Sequence, residues 1–265
     1  MSWRSRKYLP SDPRDEKVIV EAAKTLVEQA KQNNIVLRIL GAVAVKIHCP
    51  RFNYLHEELG RPLTDLDLIG YGSQRKEITN FLVKRGYEID ERLLDYIAMT
   101  SRLIFRDQKT NLKIDIFLDR LEMSHTINFK DRLEVDYPTI SLADLLLEKL
   151  QIVKINEKDV LDIIIVTREH ELAERDQETI NSRYIAELLS NDWGFYFTVT
   201  QNLNKVITIM PKYSCVSSTD VSNVKQKIKK LQEIIENQPK KLKWKLRAIV
   251  GTKQKWYNDV EEILR

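Results

Sequence analysis

Cysteine, histidine and long apolar runs are all scarce in this sequence, and each scarcity removes a class of function. The two cysteines among 265 residues, Cys49 and Cys215, stand far apart without the paired spacing of a zinc site or the density of a disulfide framework, and they read as inert thiols. The four histidines, His48, His56, His125 and His170, form no His-Glu-x-x-His or comparable arrangement, which argues against a histidine-bound transition metal. Each reads as a packed or solvated side chain. No stretch approaches the roughly 20 apolar residues needed to span a bilayer. Met1 to Pro10 is polar and basic, with no apolar segment of signal-peptide length behind it. A cytoplasmic chain without a membrane partner is expected. Internal repeats and low-complexity segments are lacking as well.

What the chain does contain is the balance of a soluble globular protein, 43% apolar and 31% charged. The net charge of +4 is unevenly spread, with 12 Lys/Arg against 5 Asp/Glu from Val221 to Arg265. A basic tail on a near-neutral body fits either a polyanionic partner or a solvated helix face.

Apolar residues at helical spacing predict a helix from Asp15 to Gln32. Asn33-Asn34 breaks it, and the β-branched run Ile35 to Leu40, ending at Gly41, reads as a buried strand. The small apolar run Ala42 to Val45 opens a second helix, which Pro50 stops. Arg61 to Gly70 reads as a strand, alternating from Leu63 to Leu68. Ser73 is the expected N-cap of a helix through Ile78 to Val83, closed by Gly86. Ser101 to Arg106 and Leu112 to Leu118 then form a hairpin around Asp107 to Asn111. From Ser141 the patterning turns helical, first through Leu142 to Val153, then from Lys158 through Ile165. Further helices are expected around Tyr184 to Leu189, Phe195 to Met210, Val224 to Glu236 and Lys241 to the end, with Pro211 and Ser214 to Ser222 as a loop. The order predicts an α+β fold, a mixed β-sheet with flanking helices in residues 1–140, followed by a helical domain in residues 141–265.

Chemistry is concentrated on two of the strands. In Asp65-Leu66-Asp67 the carboxylates are two residues apart, so both project from one face while Leu66 and Leu68 point into the core. Such a pair suits a hard cation such as Mg²⁺ or Mn²⁺, which takes oxygen ligands and keeps substrate phosphates in its shell. Asp115 repeats the pattern on a second strand, between Ile114 and Ile116. A third carboxylate brought alongside completes a site for two metals, one activating an attacking hydroxyl and one stabilising leaving pyrophosphate. Gly41-Ala42 lies where a strand gives way to a helix, a place where backbone N–H groups can meet phosphate oxygens.

The combination of Gly41-Ala42, Asp65-Leu66-Asp67 and a later lone Asp115 resembles the DNA polymerase β-like nucleotidyltransferase superfamily. From Leu142 the chain is similar to the abortive-infection-type nucleotidyltransferase toxins, through Asp144-Leu-Leu-Leu-Glu-Lys149 and Lys158-Asp159-Val-Leu-Asp162. The resemblance covers roughly residues 35 to 170. It implies a nucleotidyltransferase-type sheet, metal ligation by Asp65, Asp67 and Asp115, and contact of Lys149, with Lys158 or Asp159, to a nucleoside triphosphate. It departs from the family in Ala42, where a second Gly or Ser is usual, and in a long interval from Gly41 to Asp65 with Phe52 to Glu58 inserted.

The expected activity is therefore metal-dependent transfer of a nucleoside monophosphate from an NTP to a hydroxyl on RNA, a protein or a small molecule. A catalytically inactive nucleotide-binding or interaction protein on the same fold and an antibiotic-type small-molecule nucleotidyltransferase are the alternatives. Trp244, Lys245, Arg247, Lys253, Lys255, Trp256 and Tyr257 would suit RNA, with cations on the backbone and aromatics on the bases. The favoured reading of those aromatics is packing in the last helix. The likeness to toxins also raises an inhibitory protein partner.

Overall fold

The computed structural model describes residues 16–58, 60, 63, 65–89, 100–108, 110 and 112–260. Met1 to Pro10, Asp15, Arg61, Thr64, Asn111 and the end of the expected last helix lie outside that set. The chain divides into two compact units, residues 1–120 with 129–140, and residues 121–128 with 141–265.

The first unit is built on a five-stranded mixed sheet. Its elements are α1 (Glu16–Gln32), β1 (Leu37–Leu40), α2 (Gly41–His48), α3 (Tyr54–Glu58), β2 (Asp65–Gly70), α4 (Arg75–Val83), β3 (Tyr87–Ile89), β4 (Arg102–Asp107) and β5 (Lys113–Leu118). The strand order is β1-β2-β5-β4-β3, with β2 and β5 parallel and the other neighbours antiparallel. Register sets the two faces. Leu66, Ile114 and Phe105 form one cross-strand row, and Leu68, Ile116 and Leu103 the next, all buried. The alternation that buries this row turns Asp65, Asp67 and Asp115 to the opposite face. Helix α1 buries Ile19, Ala23, Leu26, Val27 and Ala30, the stripe its periodicity predicts, and packs against β1 and α2. The chain returns beside β1, where Ile39 N–H donates to Pro138 O and Ile140 N–H to Ile39 O, each at 3.0 Å.

Ser73 does not cap α4. It lies inside a 3₁₀ turn, Gly72–Gln74, and the helix begins at Arg75 without a side-chain cap. Gln74 is drawn into tertiary contacts instead: its Oε1 accepts from Val36 N–H at 2.9 Å and its Nε2 donates to Asn34 O at 2.8 Å. Gln74 thereby satisfies backbone groups of Asn34 and Val36, just ahead of β1. Helix α4 ends at Val83 with Lys84 as its C-cap, and Gly86, the expected cap, follows in the turn before β3 at φ +84°.

The second unit opens with the small strands β6 (Arg120–Glu122, its first residue still in the first unit) and β7 (Thr126–Asn128) and continues with α5 (Leu142–Leu150), α6 (Glu157–Glu169), β8 (Glu171–Ala173), β9 (Thr179–Asn181), α7 (Ser182–Leu189), α8 (Trp193–Ile209), α9 (Ser218–Asn237) and α10 (Leu242–Val250). Helix α9 starts well before Val224, inside the expected loop. Ser217 caps it by accepting from Asp220 N–H at 3.1 Å, and Asp220 is itself held by Arg168 at 2.5 Å. The polar string that reads as a loop is a capping sequence.

The last helix stops at Val250 rather than running to the chain end. Gly251 sits at φ +58°, and Arg247 donates to Gly251 O at 2.7 Å and Gln254 O at 2.8 Å, tying the chain back on itself. Trp256 then packs against Phe197 and Trp193, and its indole N–H donates to Thr198 Oγ1 at 3.1 Å. That hydroxyl also meets His125 Nε2 at 2.8 Å. Burial depresses the His125 pKa to about 4, which keeps the ring neutral where it stacks on Phe195. Among the described residues, no helix is long and apolar enough to cross a membrane.

Candidate active site

Parallel pairing of β2 with β5 sets Asp67 directly beside Asp115. Asp65 lies two residues back along β2, on the same face and in register with Lys113. Both Asp65 and Asp67 are half-buried, whereas Asp115 is 1% exposed. Leu40, the last residue of β1, pairs with Asp67, so the β1–α2 junction meets the acidic face at that residue. Gly41 begins α2 at φ +71°, a left-handed backbone that a side chain would strain. A Cβ built on it would stand 2.6 Å from Asp67 Oδ2. The glycine therefore serves both the turn and the space for the carboxylate. Ala42, next in the helix, is half-buried.

Asp115 is not bare on this face. Arg102 on β4 reaches diagonally across the antiparallel pair, its guanidinium lying over the Phe117 ring at 4.6 Å. Its Nε donates to Asp115 Oδ1 at 2.5 Å, and its terminal nitrogen to Oδ2. Lys113 Nζ adds a third contact, 3.2 Å from Oδ2. A forked guanidinium matched to a carboxylate is the strongest common form of ion pair, and burial weakens its screening.

By type and register the three carboxylates suit a divalent cation: hard oxygen donors on one face of two adjacent strands, beside a turn kept free of Cβ. Their side chains are not gathered for one, since among the described residues no three acidic, histidine or cysteine side chains converge as a metal-binding group. Both oxygens of Asp115 face cations of the chain itself. Ligation through Asp115 would compete with its guanidinium partner for the carboxylate lone pairs.

The remaining expected residues belong to the second unit. Ser141 is the N-cap of helix α5, its hydroxyl accepting from Asp144 N–H, and every residue from Leu142 to Leu150 is buried. Lys149, 7% exposed, sits among carboxylates: Glu148 at 3.1 Å, Asp162 at 3.4 Å and Asp159 at 3.9 Å. Asp162 is fully buried. Lys158 is half-buried in the first turn of α6. Spacing thus brings Lys149 and Asp159 into one ionic group, with Glu148 and Asp162 as added members.

Arg102 is the residue that sequence reasoning passes over. Lys113 carried a readable signal, since a residue two before Asp115 on a strand shares its face. Arg102 did not, because its relation to Asp115 exists only through the β4–β5 register.

No protein-family model matches this sequence, and no curated protein does. Solved structures give more distant likenesses. The antibiotic-resistance factor ANT(2'')-Ia is similar over 57% of this chain and 83% of its own, at 13% identity and a TM-score of 0.39. The lincosamide antibiotic adenylyltransferase LnuA matches over 54% of this chain and 92% of its own, at 14% identity and a TM-score of 0.39. An antigenic nucleotidyltransferase-like protein from Paracoccidioides brasiliensis matches over 84% of this chain and 94% of its own, at 14% identity and a TM-score of 0.41. Likeness at this level does not assign the chain to a family.

Proposed function

We propose that this chain is a divalent-metal-dependent nucleotidyltransferase, moving a nucleoside monophosphate from an NTP to a hydroxyl acceptor with release of pyrophosphate. The observation that carries the reading is the side-by-side register of Asp67 and Asp115 on parallel strands, with Asp65 on the same face and Gly41 at its margin. Asp65, Asp67 and Asp115 would hold the cations, which when bound supply positive charge to the phosphates and activate a hydroxyl. The chain's own part is to present the acids from rigid strands and to keep the β1–α2 turn open to phosphate oxygens.

The clamp on Asp115 by Arg102 and Lys113 favours one other reading, a nucleotide-binding protein that has lost transfer. One experiment separates the two. The purified protein is incubated with each α-labelled NTP, Mg²⁺ or Mn²⁺, and an extract containing RNA, protein and small molecules, beside Asp65→Ala/Asp67→Ala. Label should enter an acceptor with the wild type and fall at least about a hundredfold in the variant, at about 1.36 kcal/mol per tenfold. Equal labelling by both proteins would refute the assignment. NTP binding without transfer would favour the non-catalytic reading.

A further inference from the structure

The stretch Lys240 to Lys255 contains seven Lys/Arg and no acid. Its structure separates two faces. Inward, Trp244 stands edge-on to Tyr196 at 5.1 Å, and Arg247 lies over the Trp193 ring while donating to the carbonyls that follow the helix. These contacts fix α10 in its own unit and occupy the aromatics that would otherwise stack on bases. Outward, Leu242, Leu246 and Ile249 recur at i, i+4 and i+7 with Val250 beside them, and they are 72%, 57%, 80% and 38% exposed. Lys245 flanks this stripe on one side and Lys243 on the other, with Lys241 next to Lys245, all exposed.

We propose that α10 is a peripheral membrane contact that lies on an anionic bilayer surface. The choice of occupant follows from the chemistry of the face. A second copy would set lysine rows against each other, which like-charge repulsion opposes. RNA would satisfy the lysines and leave the aliphatic stripe in water. A protein interface is usually enriched in aromatics and Arg and depleted in Lys, the reverse of this face, and a stable one buries roughly 800 Å² per partner where four aliphatics offer on the order of a few hundred. Aliphatics between lysines suit a lipid surface, where the apolar row enters the acyl boundary and each lysine near anionic headgroups adds binding. No spanning helix is involved; the contact lies in the plane of the surface.

The test is co-sedimentation of the full chain with vesicles of phosphatidylcholine alone or mixed with phosphatidylglycerol. The wild type should pellet with the anionic vesicles at least about tenfold more than with neutral ones. Leu242→Asp/Leu246→Asp/Ile249→Asp should abolish this with circular dichroism unchanged, the positions being exposed, and Lys241→Gln/Lys243→Gln/Lys245→Gln should weaken it severalfold. Failure to pellet with anionic vesicles overturns the proposal, and retention on immobilised polyglutamate in that case points to an acidic polypeptide instead. Pelleting that survives loss of the aliphatic stripe overturns it too, as mere adsorption of a basic surface.

Discussion

Replacing Arg102 with Met tests the electrostatic core of the acidic face. The Asp115 side chain is 2% exposed and its two oxygens are bridged by a guanidinium that is itself only 16% exposed. Removing one partner of a buried pair costs about 3–5 kcal/mol, because the other charge stays buried without compensation. Two features adjust that figure here. Lys113 remains 3.2 Å from Oδ2 and offsets part of the loss, whereas the cation–π contact with Phe117 disappears, at about 0.5–1 kcal/mol. The expected destabilisation is about 3 kcal/mol, or a fall in Tm of roughly 6–12 °C for a chain of this size. Denaturant titration of Arg102→Met, Asp115→Asn and the double variant isolates the pair: with the carboxylate neutral, Arg102→Met should cost no more than about 1 kcal/mol. Additivity within about 0.5 kcal/mol would refute the argument, as would an Arg102→Met protein as stable as the wild type. The same variant bears on the metal. If Asp115 ligates a cation once its guanidinium is gone, Mn²⁺ should raise the Tm of Arg102→Met more than that of the wild type.

Two further outcomes follow from backbone strain and from burial. Gly41→Ala should cost about 2–4 kcal/mol in denaturant titration, combining a strained φ with the clash on Asp67, whereas Gly86→Ala, at φ +84° with no atom of the described residues within 4 Å of an added Cβ, should cost only about 1 kcal/mol. Equal costs at the two positions would show that Asp67 yields freely. His125 has a folded pKa depressed to about 4 against an ordinary 6.5, so its contribution is complete above pH 6.5 and is lost as pH falls toward 4. That difference is worth at most about 3 kcal/mol, and His125→Phe should flatten the Tm-against-pH curve within this window; an unchanged slope would place the acid sensitivity elsewhere.

The sequence spoke most clearly where one local period decides both the element and its face. Leu66 and Leu68, like Ile114 and Ile116, announce a buried side two residues apart, and so place Asp65, Asp67 and Asp115 on the other. The helix from Ser141 and the β4–β5 hairpin were legible for the same reason. Where a side chain had two uses, local rules chose wrongly. Ser73 has the composition of a cap, but Gln74 is held by Val36 and Asn34, residues some 40 positions away. Ser217 sits in a string that reads as a loop and is a cap, because Asp220 answers it three residues on and Arg168 secures Asp220.

The aromatics of the tail carry the lesson further. In sequence Trp244 and Trp256 alternate with lysines, a pattern equally suited to stacking on bases and to packing on a helix. The fold decides by turning both inward, one onto Tyr196 and the other onto Phe197 and Trp193. What remains outward is aliphatic and basic, so the partner that the tail can recognise changes with the direction of two rings. Neither direction follows from residue type, because an indole gains by burial wherever a matching surface is offered, and here that surface is α8. The clamp on Asp115 has the same character: charge and spacing name the acid, and only the register of β4 against β5 names its partner.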